Sequence, residues 1–305
     1  MKLILGTRGS ALATTQAGQF ADRMRERHPG LEIETVIIKT SGDRFSAEIN
    51  AGERKELPTS ADAPNVKAMF VKEIESALLE GKIDFAVHSS KDLPAEVPEG
   101  LAIAAYPKRE DPRDAMIGAT LESLPKDAKV GTASLRRQLQ LKEKRPDLQF
   151  VAIRGNVDTR LRKLEEGEAD AILLAEAGLR RLGLDSVKRT VIGADIVVPA
   201  PGQGALAIET RVEGEARDLV AALDDETTRC EVEFERAVLT AVGGGCSTPL
   251  GVIARADEEK VRIWSFWSDI EGKNSVREQD ESPRDKESLD ALLKRTVSRL
   301  TSAQT

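Results

Sequence analysis

The strongest constraint on this fold is a local design that the chain uses twice. Near its start a short apolar run, Leu3-Ile4-Leu5, passes into Gly6-Thr7-Arg8-Gly9-Ser10 and then a helical stretch to about Arg27. Farther on, Lys129-Val130 passes into Gly131-Thr132-Ala133-Ser134 and a helical stretch that opens Leu135-Arg136-Arg137. Each copy reads strand, Gly-Thr, a residue or two, serine, helix. Serine suits the N-cap because its hydroxyl accepts a bond from an N–H of the first turn. A strand feeding a helix that packs back on it is the unit of an α/β fold.

Further strands are expected at Leu31 to Lys39, Ile83 to Val87, Leu101 to Tyr106, Phe150 to Ile153, Ala171 to Leu174 and Ala205 to Glu209. Phe70, Val71, Ile74, Ala77 and Leu78 recur at helical spacing, and Gly81 closes that helix. Asp158 is read as the cap of a helix containing Arg160 and Arg162, and another helix runs to about Leu223. Such alternation implies parallel sheets covered on both faces. Two breaks interrupt it, Pro107 to Pro112 and Pro199 to Gly204. The last part holds a helix around Cys230 to Ala241, strands at Val252 to Ala254 and Val261 to Trp267, and a helix from about Lys286 to Leu300. Trp264 and Trp267 face opposite sides of their strand, with at least one in the core. The expected architecture is two α/β domains with a cleft between them, plus a smaller C-terminal α+β domain. The boundaries are 1–107 with 200–222, then 108–199, then 223–305. The polar stretch Ser41 to Asn65, with Gly42, Gly52, Pro58 and Pro64, reads as a lid or insert over about 43–66.

A chain of 305 residues has room for two or three domains. Its net charge of −7 argues against a general nucleic-acid binder. No apolar run approaches the roughly 18 residues that span a bilayer, so no membrane role is expected. Two cysteines, Cys230 and Cys246, make no disulfide framework, and Met1 to Gly6 has no signal-peptide character. A reducing, cytoplasmic setting follows as an expectation. His28 and His88 lie in no metal-ligand spacing, so no metal is expected. His28 reads as a solvated helix-end residue, and His88 as either core or site. There is no Gly-x-Gly-x-x-Gly and no Walker loop. Cys230 is given no role.

The arginines are placed unusually. Arg8, Arg136, Arg137 and Arg154 stand at or just after strand ends, near helix N-termini, and Arg160 lies about a turn into its helix. In open α/β sheets ligands bind beyond the carboxyl ends of strands. A cation at a helix N-terminus is unfavourable unless an anion is present. Arginine offers a bidentate fork for carboxylates, and Ser10, Thr132 and Ser134 add hydroxyls. The plain alternative is surface arginine balancing an acidic chain; the repeated placement favours a cleft that binds several carboxylates or phosphates. Asp92, beside Lys91 at another strand end, is either a turn residue or an ionised carboxylate able to stabilise a cation or move a proton. Finally, Gly243-Gly244-Gly245-Cys246-Ser247-Thr248-Pro249-Leu250-Gly251 suits neither helix nor strand. Either it is a tight turn with a small buried thiol, or it holds that thiol on open backbone within reach of a ligand.

Several stretches together resemble the porphobilinogen deaminase (hydroxymethylbilane synthase) family. They are Gly131 to Gln138, Arg154-Gly155-Asn156-Val157-Asp158-Thr159-Arg160-Leu161, His88-Ser89-Ser90-Lys91-Asp92-Leu93-Pro94, Gly244 to Gly251, Phe70-Val71-Lys72-Glu73 and Pro201-Gly202-Gln203-Gly204-Ala205. The resemblance covers nearly the whole chain in order. It implies a monomeric enzyme that joins four porphobilinogen molecules head to tail, losing ammonia each time, and releases a linear tetrapyrrole. It implies a dipyrromethane cofactor held by a thioether to Cys246, and first and second domains like type II periplasmic binding proteins. By resemblance, Arg8, Ser10, Lys91, Thr132, Ser134, Arg136, Arg137, Arg154, Gly155, Arg160 and Arg181 hold the carboxylates of cofactor and substrate. Asp92 is catalytic at the pyrrole N–H groups, and Gln203 is a hinge residue near the cleft that belongs to the substrate-binding set. Where the family has a shorter glycine-rich lid and Lys-Gly-Leu-Phe-Val-Lys, this chain reads Lys67-Ala68-Met69-Phe70-Val71-Lys72, and Lys67 joins the substrate-binding set. Two other readings compete: a non-catalytic anion-binding protein of the periplasmic-receptor type, and a regulatory ligand-binding module.

Overall fold

The computed structural model describes residues 1–43, 68–243 and 248–302. Lys67, Cys246 and positions 44–66 of the expected lid lie outside the described residues. By internal contacts the chain forms two units, Met1–Arg109 with Ala205–Arg229, and Glu110–Gly204 with Cys230–Thr305.

The first unit opens with β1 (Lys2–Thr7), α1 (Ala11–Arg27) and β2 (Glu32–Ile37). Ser10 caps α1 as expected, its Oγ accepting from the Ala13 N–H at 3.3 Å. Then come α2 (Ala68–Leu79), β3 (Phe85–Ser89), a single 3-10 turn over Ser90–Asp92, and β4 (Leu101–Ala105). The second unit follows with β5 (Asp114–Ile117), β6 (Lys129–Gly131), α3 (Leu135–Lys144), β7 (Gln149–Val151) and α4 (Val157–Glu165). It continues with β8 (Ala171–Ala175), α5 (Glu176–Arg181) and β9 (Arg189–Val191). The chain then returns to the first unit as β10 (Leu206–Arg211) and α6 (Glu215–Ala221). Last come α7 (Glu226–Val242), β11 (Leu250–Ala256), β12 (Lys260–Ser268), β13 (Ser275–Pro283) and α8 (Lys286–Ser302).

Two five-stranded sheets share one plan, ordered β2-β1-β3-β10-β4 and β7-β6-β8-β5-β9. The first three strands of each are parallel, but β10 runs antiparallel to β3 and β4, and β5 antiparallel to β8 and β9. The all-parallel expectation is therefore corrected to mixed sheets. The physical reason is connectivity: the antiparallel strand of each sheet is the first segment after the chain enters that unit. It enters without the helical crossover that parallel pairing requires. A third sheet, β11-β12-β13, is antiparallel throughout.

Both mixed sheets are covered on both faces. Leu3, Leu5, Phe85, Val87 and Ile208 pack with Phe20 and Met24 of α1, while Ile83, Ala86 and Leu101 pack with Ile74 and Leu78 of α2. In the second unit Met116 and Leu173 join Leu141 of α3, whereas Ala115, Ile117, Ile172 and Leu174 join Leu179 of α5. That alternation is the two-residue period of a strand. Trp267 is buried in the core beneath α7 and α8, and Trp264 packs in a separate cluster with Phe266 and Val198. The cap of α4 is Asn156 rather than Asp158, whose carboxylate lies in the first turn, where the helix dipole still favours it. His28 is not simply solvated: it ends α1 half-buried, its Nε2 at 2.9 Å from the Leu219 carbonyl.

Candidate functional site

In the first unit β1 and β3 are parallel neighbours, with Leu5 opposite Phe85 and Gly6 opposite Ala86. Their carboxyl-end turns therefore emerge side by side, which brings Arg8 and Ser10 to Asp92. A cavity of ≈ 60 Å³ is lined by these three residues together with Gln16, Phe70 and His88, among others. Asp92 is half-buried, and its carboxylate accepts no hydrogen bond from any described residue. Arg8 is partly committed: Asp43 Oδ1 takes its Nε at 3.1 Å and its Nη2 at 2.6 Å, and the guanidinium lies 4.4 Å from the centre of the Phe70 ring. Burial works against ionisation of Asp43, but Arg8 and Thr40 outweigh it and hold that carboxyl below its usual range. Nη1 of Arg8 keeps its donors among the described residues. Behind the cavity, His88 is buried, with Nε2 3.1 Å from Oε2 of the buried Glu209. It is thus both a core residue and a wall of the site. Burial, and then the Glu209 charge, push the Glu75 carboxyl up against the opposing effect of His88. Lys91 belongs to the same 3-10 turn as Asp92.

The second unit places Thr132 and Ser134 between β6 and α3, and Arg154 and Gly155 just beyond β7. Ser134 stands at the N-cap of α3, but its hydroxyl makes no capping bond; instead its N–H donates to Thr132 Oγ1 at 3.2 Å. Arg154 is half-exposed and has no hydrogen-bond or ion-pair partner among the described residues. Gly155 has φ +114°, and a Cβ there would stand 2.8 Å from Thr159 Cγ2, so glycine is required. Its carbonyl accepts from Arg160 Nε at 2.7 Å. Arg181 Nη2 donates to the Gly204 carbonyl at 2.7 Å.

Arg136 and Arg137 are buried, and both meet Asp114, a residue the sequence reading did not single out. The register explains the meeting: Asp114 opens β5 opposite Ala175, the last residue of β8, at the sheet end where α3 begins. Arg136 Nη2 reaches Asp114 Oδ2 at 3.0 Å, and Arg137 Nη2 reaches Oδ1 at 2.6 Å. Gln203 Nε2 also donates to Asp114 Oδ1, at 2.8 Å, and to the Pro112 carbonyl at 2.7 Å. Burial alone would raise the Asp114 pKa, but Arg137 and Arg136 reverse that and hold it well below the carboxylate range. The anion expected near these helix-end arginines is thus supplied in part by the chain itself. Among the described residues no group of acidic, histidine and cysteine side chains could hold a metal ion.

Among known proteins, a family model described as "Porphobilinogen deaminase, dipyromethane cofactor binding domain" matches residues 3–218. A second, "Porphobilinogen deaminase, C-terminal domain", matches residues 229–294. The porphobilinogen deaminase of Syntrophus aciditrophicus (strain SB) is 44% identical over 281 residues, covering 90% of this chain and 88% of its own. That of Roseiflexus sp. (strain RS-1) is 46% identical over 265 residues, covering 86% and 84%. That of Geobacter sulfurreducens (strain ATCC 51573 / DSM 12127 / PCA) is 43% identical over 285 residues, covering 92% and 86%. Among solved structures, an ancestral cationic amino acid solute binding protein aligns with TM-score 0.42 at 14% identity, covering 73% of this chain and 87% of that one.

Proposed function

The chain belongs to the porphobilinogen deaminase family, an enzyme family with a dipyrromethane cofactor, and from that premise we propose which residues carry its reaction. The observation that carries the proposal is the Asp92 carboxylate, which lines a cavity with Arg8 and Ser10 and takes no donor from the described chain. A carboxylate left open in this way suits a ligand with N–H donors. Donors left open in each unit also suit a ligand rich in carboxylates. Arg154 has no partner among the described residues, the Ser134 hydroxyl makes no cap bond, and Arg8 has donors left over. Six linked pyrroles would bring about twelve carboxylates, which call for charge-assisted bonds from many cations.

Arg8, Ser10, Lys91 and Lys67 of the first unit, and Thr132, Ser134, Arg136, Arg137, Arg154, Gly155, Arg160 and Arg181 of the second, bind the carboxylates of cofactor and substrate. Gln203 supports two of them through Asp114. When bound, the dipyrromethane supplies the ring carbon to which the first porphobilinogen is joined. Asp92 holds the pyrrole N–H of porphobilinogen. As the aminomethyl C–N bond breaks and ammonia leaves, its negative charge offsets the positive charge left on that ring. After the new carbon–carbon bond forms, an Asp92 oxygen accepts the proton from the ring carbon.

Cys246 carries the thioether. The other cysteine, Cys230, is free and half-buried, and burial pushes its thiol up and away from the thiolate form. We keep the three-domain division, 1–107 with 200–222, 108–199 and 223–305, which the three separate sheets support. No helix among the described residues is long and apolar enough to cross a membrane. We read the protein as a cytoplasmic monomer with porphobilinogen as its small-molecule partner.

Two variants test this. Asp92→Asn should keep KM near the wild-type value and lower kcat by about 10²–10⁴-fold, the range for loss of a proton-transfer group. A rise in KM alone would make Asp92 a binding residue. Intact mass should show the wild-type chain heavier than its sequence by two pyrrole units and Cys246→Ala at its bare sequence mass. A two-pyrrole increment in the variant would move the attachment elsewhere.

A further inference from the structure

Asp114 has the surroundings of a residue that works through others. It is fully buried and takes Arg137 Nη2, Arg136 Nη2 and Gln203 Nε2. The remaining guanidinium bonds are internal as well: Arg136 Nη1 donates to the Val198 carbonyl and Arg137 Nη1 to the Leu173 carbonyl at 3.0 Å. Gln140 Nε2 shares the Val198 carbonyl at 3.1 Å, while its Oε1 accepts the Val198 N–H at 2.8 Å. Each arginine is therefore held by a carboxylate at one nitrogen and by fixed backbone at another.

The charges do not balance. Two guanidiniums against one carboxylate leave one positive charge in a buried place. An unmatched buried charge is costly unless something pairs with it. One donor is unmatched as well: Arg137 Nε is buried and without a partner among the described residues. The described residues do not complete Arg137.

We propose that Asp114 is a positioning residue for the known reaction: it fixes Arg136 and Arg137 and halves their combined charge, so that this part of the second unit takes one carboxylate of the bound pyrrole chain. The inference rests on the family reading above, since it needs a polycarboxylate ligand. It differs from that reading in its subject: Asp114 touches no ligand, and its effect passes through the arginines. Without it, the two cations would face each other with only the Val198 and Leu173 carbonyls, among the described residues, to hold them.

The test uses the full chain, with folding followed by circular dichroism, cofactor content by intact mass and turnover by steady-state kinetics. Asp114→Asn removes the charge at nearly constant volume. It should fold yet lack the two-pyrrole mass increment, or carry it with kcat/KM reduced about tenfold or more. Asp114→Glu should restore part of the loss, because it returns the charge with imperfect reach. A folded Asp114→Asn with the full increment and wild-type KM and kcat overturns the proposal. If Asp114→Asn does not fold, Asp114→Glu decides. It keeps the charge that Arg136 and Arg137 pair with and moves it by one methylene. It should fold and show a partial loss of the increment or a lowered kcat/KM. Wild-type mass and kinetics in Asp114→Glu, or its failure to fold, makes Asp114 a packing residue only and overturns the proposal. Failure of the family reading looks different, since the wild-type chain would then itself lack the increment.

Discussion

The Asp114 carboxyl sits between two buried guanidiniums, and that setting fixes the sign of its effect on stability. Its pKa in the folded chain lies below the ordinary 3.8, so over acidic pH the unfolded chain binds the extra proton. Its contribution is fully present above that ordinary value and is lost as pH falls toward the folded value. Denaturant melts between pH 5 and pH 2 should show stability falling with pH in the wild type, and a shallower fall in Asp114→Asn. Equal slopes would mean that Asp114 is not ionised in the folded protein. In the sequence this carboxylate is one of several charges in Glu110-Asp111-Pro112-Arg113-Asp114, and nothing local separates it from its neighbours. Its burial comes from pairing between β5 and β8, which joins residues far apart in the chain. Arg8, Ser10 and Asp92, which line one cavity, lie at strand ends that could be read: Gly6, Gly9 and Ser10 mark the first turn, and an apolar run ends just before the second. The role proposed for Asp92 came from the family resemblance, since the residues alone read equally as a turn.

At the scale of elements, the strands that could be read were those with apolar runs, such as β1, β3 and β8. β5 was missed because it is four residues long and follows a proline-bounded charged stretch. β9 is three residues long, too short to show a period. β13, Ser275–Pro283, was missed because its sequence is almost wholly polar; its pairing with β12 makes it a strand. A less visible join belongs to α7. Its Glu235 is buried and accepts the Gly202 N–H at 2.7 Å with one oxygen and the Ala254 N–H at 2.8 Å with the other. One carboxylate thus ties the 201–204 turn to β11. Glu235→Gln keeps one acceptor and sets an amide N–H₂ against the other backbone N–H. We expect a loss of about 1–3 kcal/mol, the cost of a buried polar group left unmatched, measurable by denaturant unfolding. A change within error would show that the two N–H groups find other partners.

For the whole molecule, the two family-model matches divide the proposed site. The cofactor-binding match ends at residue 218, whereas Cys246 falls within the C-terminal match, 229–294. The proposed tether and the proposed carboxylate-binding side chains therefore come from different parts of the chain. The same interleaving governs the first unit, whose sheet is completed by β10 between β3 and β4. A chain ending at residue 204 should leave those two strands with facing open edges and be cut rapidly in limited proteolysis. A chain ending at residue 229 should protect residues 85–105; equal protection in both would show that the sheet closes without β10. During synthesis, then, the amino-terminal segment leaves the ribosome early but waits for the strand between β3 and β4 until the intervening unit has been translated. Its half-made sheet is exposed to chaperones and misfolding partners for all of that interval.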